Sequence, residues 1–293
     1  MTILRKMNAN LHLFMALPAI ALFGMFFIYP LAQGIGISLT DSNGVTTPSF
    51  VGLQNFVDFF GDDRARTDVR NTILFALGSA PLLNLFGLLY ALLLDRKMAG
   101  RGFARAAVYL PAVISPLIMG YIWYFILQPG RGYLSHVLGE LRLGALDGNW
   151  LGDSSSALIV LIVVNVWQYV GMTMIIYLAG LQSIPSDLYE AGAIDGAGRL
   201  ASLRYITLPL LYPAIKINVV TNIIGSLSVF EIIVALTDGG PGYATESLSI
   251  YIMRMLYGSF TGYSTAVALI LFVIILVPVL VFLRMTRRSE YEL

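Results

Sequence analysis

Polar side chains recur at helical spacing inside two otherwise apolar stretches of the chain, where they could bind a polar solute. In residues 157–178, Asn165, Gln168 and Tyr169 follow one another at intervals of three and one, and Trp167 lies beside them. In residues 210–236 a second strip follows: Asn218, Thr221, Asn222, Gly225 and Ser228. Amides and hydroxyls pair with sugar hydroxyls, and aromatic rings cover apolar C–H faces. The two strips therefore predict a binding path for a sugar or sugar derivative.

The same side chains have a second interpretation. Asn, Ser and Thr also hydrogen-bond neighbouring membrane helices to one another, without any solute. The spacing alone leaves both interpretations open for each residue. Glu231, directly after Phe230, differs because a carboxylate near the outer end of a span reaches the interface. An architectural role is favoured for Glu231.

No pattern in the sequence points to an enzyme. Cysteine is absent, and the two histidines, His12 and His136, are too far apart in sequence to suggest a metal pair. A nucleotide-binding P-loop needs Gly-Lys followed by Ser or Thr. None of the three lysines, Lys6, Lys97 and Lys216, follows a glycine. Any ATP that drives this protein must therefore be bound by another chain, and we expect no cofactor in this one.

Composition places most of the chain outside water. Of 293 residues, 57% are hydrophobic and only 12% are charged, and the mean hydropathy is +0.78. Soluble domains carry roughly 25% charged residues. The chain is therefore predicted to be an integral membrane protein. Its formal net charge of +1 indicates neither a nucleic acid nor an acidic partner.

Six apolar runs predict an all-α polytopic fold in a single domain, residues 1–293. About 20 apolar residues cross the hydrocarbon core as a helix. The predicted spans are 11–31, 72–94, 106–128, 157–178, 210–236 and 263–283. The first run is too long for the core of a signal peptide. In the third run, Pro111 and Pro116 free backbone carbonyls, which requires a protein or cavity partner.

The polar segment 183–209, between the fourth and fifth spans, has the pattern of two short helices. Pro185 and Ser186 supply a helix start, because serine can cap free N–H groups. Gly196 supplies a stop, since glycine tolerates the left-handed conformation at helix ends. A second amphipathic stretch then runs to Pro209. A mere connector needs no such pattern, so this segment is predicted to be a docking surface.

The segment resembles the EAA loop of bacterial ABC importer permeases of the carbohydrate-uptake type. The match consists of Glu190-Ala191-Gly192, then Gly196, then the residues 206–209, Ile-Thr-Leu-Pro. The resemblance implies that this loop sits in a cleft of a separate ATPase subunit and couples its closure to the membrane helices. The coupling residues that it implies are Glu190, Ala191, Gly192, Asp195, Gly196, Ala197, Ile206, Leu208 and Pro209. Gly192 departs from the family's usual alanine, at a cost of roughly 1 kcal/mol in a helix.

Two further segments resemble sugar-type permeases, so the resemblance extends from Val51 to the last span. They are residues 50–56, FVGLQNF, and residues 237–246, which contain Gly-Gly-Pro followed by Thr-Glu. The family implies a second, related permease subunit, two ATPase subunits that bind ATP and Mg, and an extracytoplasmic binding protein. It also implies an alternating-access mechanism with a sugar-type substrate.

The distribution of positive charge predicts the orientation in the bacterial cytoplasmic membrane. Cytoplasmic segments carry an excess of Lys and Arg. With both termini inside, eleven basic residues lie inside: Arg5, Lys6, Arg96, Lys97, Arg101, Arg105, Arg199, Arg204, Arg284, Arg287 and Arg288. Six lie outside: Arg64, Arg66, Arg70, Arg131, Arg142 and Arg254. Both termini and the EAA-like loop are therefore predicted to face the cytoplasm.

Two other classes of protein fit parts of the sequence. An ion-coupled secondary transporter would also have membrane spans interrupted by glycine and proline. In that class the patterned cytoplasmic loop would have no use. A polytopic membrane enzyme is disfavoured, since no catalytic cluster occurs in the sequence. The ATP-driven importer is the prediction that accounts for the loop as well as the spans.

Overall fold

The structure, a computed structural model, describes residues 15–96, 98–141 and 148–286. Outside this part lie the first four residues of the first predicted span, which include His12, as well as Lys97 and the last seven residues. The described helices are α1 Met15–Ser38, α2 Gln54–Gly61, α3 Asp63–Leu94, α4 Arg101–Val113, α5 Pro116–Leu127, α6 Tyr133–Glu140, α7 Ser154–Gln182, α8 Ser186–Ile194, α9 Arg199–Leu210, α10 Tyr212–Leu227, α11 Glu231–Leu236, α12 Leu248–Tyr257 and α13 Thr261–Thr286. Within the described residues, β-structure amounts to one isolated bridge between Thr40 and Phe50.

The fold is all-α and polytopic. In the part of the chain that the structure describes, four helices, α1, α3, α7 and α13, are each long and apolar enough to cross a membrane. Two bent pairs also qualify when each is counted as one span: α4 with α5, bent by 96°, and α9 with α10, bent by 68°. Counted in this way, the helices supply the six spans that hydropathy predicts.

The third predicted span, 106–128, is not one continuous helix in the structure. The chain breaks at Ile114 and Ser115, whose backbones are extended, between α4 and α5. Pro116 explains the break, because proline disfavours helical backbone in the residue before it. The carbonyl of Ile114 receives a hydrogen bond of 3.1 Å from Nε2 of Gln168 on α7. This is the kind of protein partner that the freed carbonyl requires.

The fifth predicted span, 210–236, is not one continuous helix either. It divides into α10 and the short α11, separated by Ser228, Val229 and Phe230. The hydroxyl of Ser228 donates to the carbonyl of Ile224 at 2.8 Å, so the side chain bonds to the last turn of α10. The carbonyl of Val229 accepts a hydrogen bond from the hydroxyl of Ser247 at 2.8 Å. The break is therefore satisfied by side chains rather than by a continuing helix.

Helices extend further than the apolar runs that predict them. α3 begins nine residues before the predicted position 72, in a segment that the sequence assigns to a polar loop. Its 32 residues measure about 48 Å at 1.5 Å per residue, more than the roughly 30 Å of hydrocarbon. Its charged first turns therefore continue beyond the membrane core. α6 and α12 likewise lie in segments that the sequence assigns to loops.

Contacts divide the chain into two compact units, whereas the sequence predicts one domain. The first unit contains residues up to 62 together with 252–270. In it, the amide of Asn55 donates to the carbonyls of Ser38 and Thr40, both at 2.8 Å. Asn55 belongs to the FVGLQNF segment, and these bonds connect the start of α2 with the end of α1.

The second unit contains residues 63–251 and 271–293, and α7 packs at its centre against α3, α4 and α10. Close approach needs small residues. At Gly171 of α7, an added Cβ would overlap the carbonyl oxygen of Val108 on α4. Apolar clusters of buried side chains surround α7; one includes Phe75, Leu161 and Ile233, and another includes Tyr177 and Leu211.

Candidate functional site

The EAA-like segment forms two short helices, α8 and α9, as the sequence predicts. α8 begins at Ser186 after the extended residue Pro185, and Asp187 lies in its first turn. An acidic residue there is stabilising, because the helix N-terminus carries partial positive charge. The expected cap by Ser186 is wrong: its hydroxyl donates to the Asp187 carboxylate at 3.4 Å, and Pro185 has no side chain with which to cap.

Gly196 ends α8 in the left-handed conformation, with φ of +80°. The N–H of Ala197 bonds to the carbonyl of Gly192 at 2.8 Å, and the N–H of Gly196 bonds to the carbonyl of Ala193 at 3.1 Å. These two bonds constitute a Schellman motif, which satisfies helix-end carbonyls and fixes the direction of the following chain. The left-handed residue therefore sets the angle between α8 and α9.

α8 rests on α9 through two side-chain contacts. The hydroxyl groups of Tyr189 and Thr207 are 3.1 Å apart and hydrogen-bonded. Gly192 allows a second close approach, since an added Cβ would lie 2.7 Å from Cδ1 of Ile206. Alanine at this position would require the end of the Ile206 side chain to move aside.

The outer surface of α8 and α9 exposes large apolar side chains at several positions. α8 has no buried residue, and Glu190, Ala191 and Asp195 are exposed. Ile194 is 88% exposed and Leu200 is 78% exposed. Large exposed apolar side chains rimmed by charges are typical of a protein interaction site. We name the exposed face of residues 186–205 the docking surface.

The docking surface is connected directly to the membrane core. Ile206, Leu208 and Pro209 are half-buried on the way from α9 to α10. Leu211, in the 68° bend that follows, is fully buried and packs in one cluster with Tyr177 and Leu181 of α7. Leu211 therefore forms a packed connection from α9 to α7 and α10.

A cavity of about 370 Å³ lies within the second unit, bordered by α5, α7, α10 and the break before α11. Among the predicted path residues, five line this cavity: Asn165, Tyr169, Asn218, Asn222 and Ser228. Thr221, Gly225 and Glu231 line it as well. The two polar strips therefore face one common space.

Trp167 and Gln168 do not line the cavity. The indole of Trp167 packs edge-on against Trp123, with ring centroids 5.4 Å apart. Gln168 is fully buried and holds the carbonyl of Ile114 across the break between α4 and α5. Trp167 lies about 200° around the helix from Asn165, whereas Gln168 lies only about 60° from it, so burial against the break rather than its position on the helix keeps Gln168 from the cavity. In this structure both side chains are engaged in packing contacts, and their place on the substrate path stays a prediction.

The asparagines of the cavity differ in how their amides are used. Asn218 donates to the carbonyl of Thr173 at 3.1 Å, and Asn222 is within 3.3 Å of the Thr173 hydroxyl. Both therefore bind α10 to α7. The side-chain amide of Asn165, in contrast, has no hydrogen bond to any residue in the described part of the chain. Its amide remains available to a solute in the cavity.

Sequence reasoning missed several lining residues. Thr173 lies four positions after Tyr169, so continuing the strip by one helical turn would have included it. Pro116 and Phe230 line the cavity only because the chain breaks beside them. No periodicity in the sequence marks those positions.

The Gly-Gly-Pro loop after α11 is held against the start of α3. Arg64 forms two hydrogen bonds of 2.9 Å with the carboxylate of Glu246, whose side chain is 0% exposed. The guanidinium carbon also lies 3.9 Å from the ring centroid of Tyr243. The amide of Asn71 donates to the backbone carbonyls of Tyr243 and Glu246 at 2.9 and 3.2 Å. We name these four residues the loop clamp.

A family model described as "Binding-protein-dependent transport system inner membrane component" matches residues 83–290. The chain is 33% identical over 267 residues to the probable starch degradation products transport system permease protein AmyD of Thermoanaerobacterium thermosulfurigenes, covering 91% of this chain and 90% of that one. It is 33% identical over 285 residues to the trehalose/maltose transport system permease protein MalF of Thermococcus litoralis, covering 97% and 96%. A crystal structure of a bacterial alginate ABC transporter, in complex with an alginate pentasaccharide-bound periplasmic protein, is similar with a TM-score of 0.81 and 26% identity, covering 97% of this chain and 96% of that one.

Proposed function

The chain belongs to the family of binding-protein-dependent transport system inner membrane components, and from that premise we propose its task in detail. It is the permease subunit of an ATP-driven ABC importer and carries a sugar or sugar derivative across the cytoplasmic membrane. The substrate class is supported by relatives named for starch degradation products and for trehalose and maltose. The hydroxyl- and amide-lined cavity in the second unit is consistent with it.

The observation that carries the proposal is the docking surface. Two short helices expose apolar side chains outside the predicted spans, and the buried Leu211 joins them to α7 and α10. An ATPase seated on this surface would transmit its closure as a movement of both membrane helices. An ion-coupled secondary transporter would have no use for such a surface.

Three kinds of partner complete the proposed assembly. A second, related permease subunit supplies the other half of the path, and two ATPase subunits that bind ATP and Mg dock on the cytoplasmic face. A solute-binding protein delivers the sugar from outside, as a periplasmic protein accompanies the similar alginate transporter. ATP binding closes the ATPase pair, the coupling helices move inward, and the path opens toward the binding protein.

An uptake experiment separates this function from its alternative. Proteoliposomes containing the whole assembly are supplied with binding protein and a labelled malto-oligosaccharide or trehalose. We expect accumulation that requires ATP on the cytoplasmic side and that persists when proton and sodium gradients are abolished. Accumulation driven by an ion gradient without ATP would establish a secondary transporter instead.

The proposed orientation places both termini and the docking surface in the cytoplasm. The chain has no cysteine, so a single introduced cysteine reports its own side. Gly148→Cys lies in a predicted outer loop, and Gly102→Cys lies in a predicted inner one, where an added Cβ would meet no atom within 4 Å. We expect an impermeant maleimide to label the first variant in intact cells and the second only after lysis. The reverse pattern would overturn the orientation.

Asn165 is the proposed solute contact in the cavity. Because its amide has no partner in the described part of the chain, Asn165→Ala should leave the fold intact and remove one hydrogen bond to the sugar. We expect uptake to need a roughly fivefold higher concentration of sugar-loaded binding protein, the ratio for about 1 kcal/mol. Uptake kinetics and subunit assembly are measured together.

Asn218→Ala is the matched comparison, because its amide already bonds to the carbonyl of Thr173. Its main effect should be a lower melting temperature of the permease. Asn165→Ala could instead destabilise the assembly as much as Asn218→Ala and leave unchanged the dependence of uptake on the concentration of sugar-loaded binding protein. In that case Asn165 binds neighbouring helices together and does not contact the solute.

A further inference from the structure

An apolar groove of about 500 Å³ opens on the second unit, separate from the cavity described above. Its floor contains Ala76 and Ala80 of α3, and its walls are formed by α10 and the later part of α13. Asn84 is the one lining residue with a polar side chain. Both of its polar atoms are used, since its amide donates to the carbonyl of Ala80 and its oxygen accepts from the hydroxyl of Tyr177. The groove therefore offers a ligand only apolar contact.

The positively charged side chain of Arg70 lies just beyond one end of the groove. Arg70, Ile73 and Leu77 follow one another at intervals of three and four residues, so they share one face of α3. Ile73 and Leu77 line the groove, and Arg70 is exposed one turn before them. Arg70 has no hydrogen bond or ion pair with a residue in the described part of the chain. A free guanidinium at the mouth of an apolar groove is suited to a phosphate group.

The groove has the length of one membrane leaflet. From Ile73 to Asn84 the groove residues of α3 extend over 11 intervals, or about 16 Å at 1.5 Å per residue. Half of the hydrocarbon core is about 15 Å. Arg70 lies a further 4.5 Å or so toward the start of α3, where the predicted apolar run gives way to polar residues. Cation and groove therefore match the headgroup and chain of one lipid.

The shape of the walls favours an acyl chain over a transmembrane helix. Helices pack closely where both surfaces present small residues. Here the small residues form only the floor, and Val219, Ile223 and Ile274 project branched side chains from the walls. A flexible chain can follow a crevice between branched side chains, whereas a helix about 10 Å wide meets the rims first.

We propose that this groove, together with Arg70, binds an anionic glycerophospholipid of the outer leaflet in the orientation proposed above. One acyl chain lies against Ala76 and Ala80, and the phosphate pairs with the guanidinium of Arg70. The bound lipid fills a crevice between α3, α10 and α13, three helices of the permease core. The site is independent of the sugar path and of the docking surface.

The test uses the purified importer complex and native mass spectrometry with added phosphatidylglycerol or phosphatidylcholine. We expect the wild-type permease to retain phosphatidylglycerol in preference to phosphatidylcholine. Arg70→Gln should weaken phosphatidylglycerol binding about fivefold, equivalent to about 1 kcal/mol for one basic residue near anionic lipid. Ala76→Phe, which fills the groove, should lower the retention of both lipids.

Two matched variants serve as controls. Arg131→Gln removes an exposed arginine of a predicted outer loop, and Leu89→Phe enlarges an exposed side chain of α3 outside the groove. Neither should change lipid retention. The proposal is overturned if Arg70→Gln retains phosphatidylglycerol like the wild type. It is also overturned if Ala76→Phe releases the partner permease subunit while lipid retention is unchanged, since a helix would then occupy the groove.

Discussion

Replacing Gly196 by valine is expected to lower sugar uptake at least tenfold while the permease remains inserted in the membrane. Gly196 has φ of +80°, a conformation that costs an L-residue roughly 1–2 kcal/mol and a β-branched residue more. An added Cβ would meet no atom within 4 Å, so the penalty is in the backbone alone. If the backbone at this residue leaves the left-handed conformation to avoid the penalty, the Schellman motif is lost and the angle between α8 and α9 changes. Uptake into proteoliposomes and the amount of inserted permease are measured side by side.

The chain offers a matched control two residues away. Gly198 has φ of −71° and also has no atom within 4 Å of an added Cβ, so Gly198→Val should transport nearly normally. Gly196→Asn should retain most of the activity, because asparagine tolerates the left-handed conformation. Equal loss in Gly196→Val and Gly198→Val would mean that bulk, rather than backbone angle, disturbs the docking surface.

Arg64→Ala is expected to cause the largest loss of stability of any single substitution in the loop clamp. It removes both hydrogen bonds to the carboxylate of Glu246, whose side chain is 0% exposed. Breaking a buried pair leaves an uncompensated charge and costs about 3–5 kcal/mol. Because the side chain of Arg64 is itself 28% exposed, we expect a loss of stability near the lower end of that range. The measurement is the melting temperature of the detergent-solubilised permease.

Arg66→Ala is the matched control, two residues later on the same helix. Its ion pair with Asp63 joins side chains that are 61% and 94% exposed, and such pairs contribute at most about 1 kcal/mol. The double variant Arg64→Met with Glu246→Gln should recover part of the lost stability, because it removes the charge that Arg64→Ala leaves unpaired. If Arg64→Ala and Arg66→Ala melt at the same temperature, the clamp does not hold the loop.

The parts of the fold set by local sequence were predictable. Hydropathy locates the long spans because each must present apolar side chains to lipid, and Gly196 marks a helix end by a rule that concerns one residue. The break at Ile114 was foreshadowed by Pro116, although not its 96° bend. The break at Ser228 was not predictable, because an apolar run continues past it and the carbonyl of Val229 accepts its hydrogen bond from Ser247, 18 positions later.

In the candidate sites, too, features set by neighbouring residues were predictable, and features set by contacts between distant residues were not. The residues of the docking surface are consecutive, so their pattern is visible in the sequence. Periodicity could place Asn165 and Tyr169 on one helix face, but it could not tell which amides the neighbouring helix uses. Nor could it foresee the pair between Arg64 and Glu246, which are 182 residues apart. Contacts of that kind depend on how the helices assemble.

The central claim is that α8 and α9 couple an ATPase to the membrane helices. The most direct test is ATP hydrolysis by the reconstituted complex, measured with and without sugar-loaded binding protein. We predict stimulation in the wild type and in Gly198→Val, and its loss in Gly196→Val although the ATPase subunits remain present. Stimulation of Gly196→Val to the wild-type level would contradict the account.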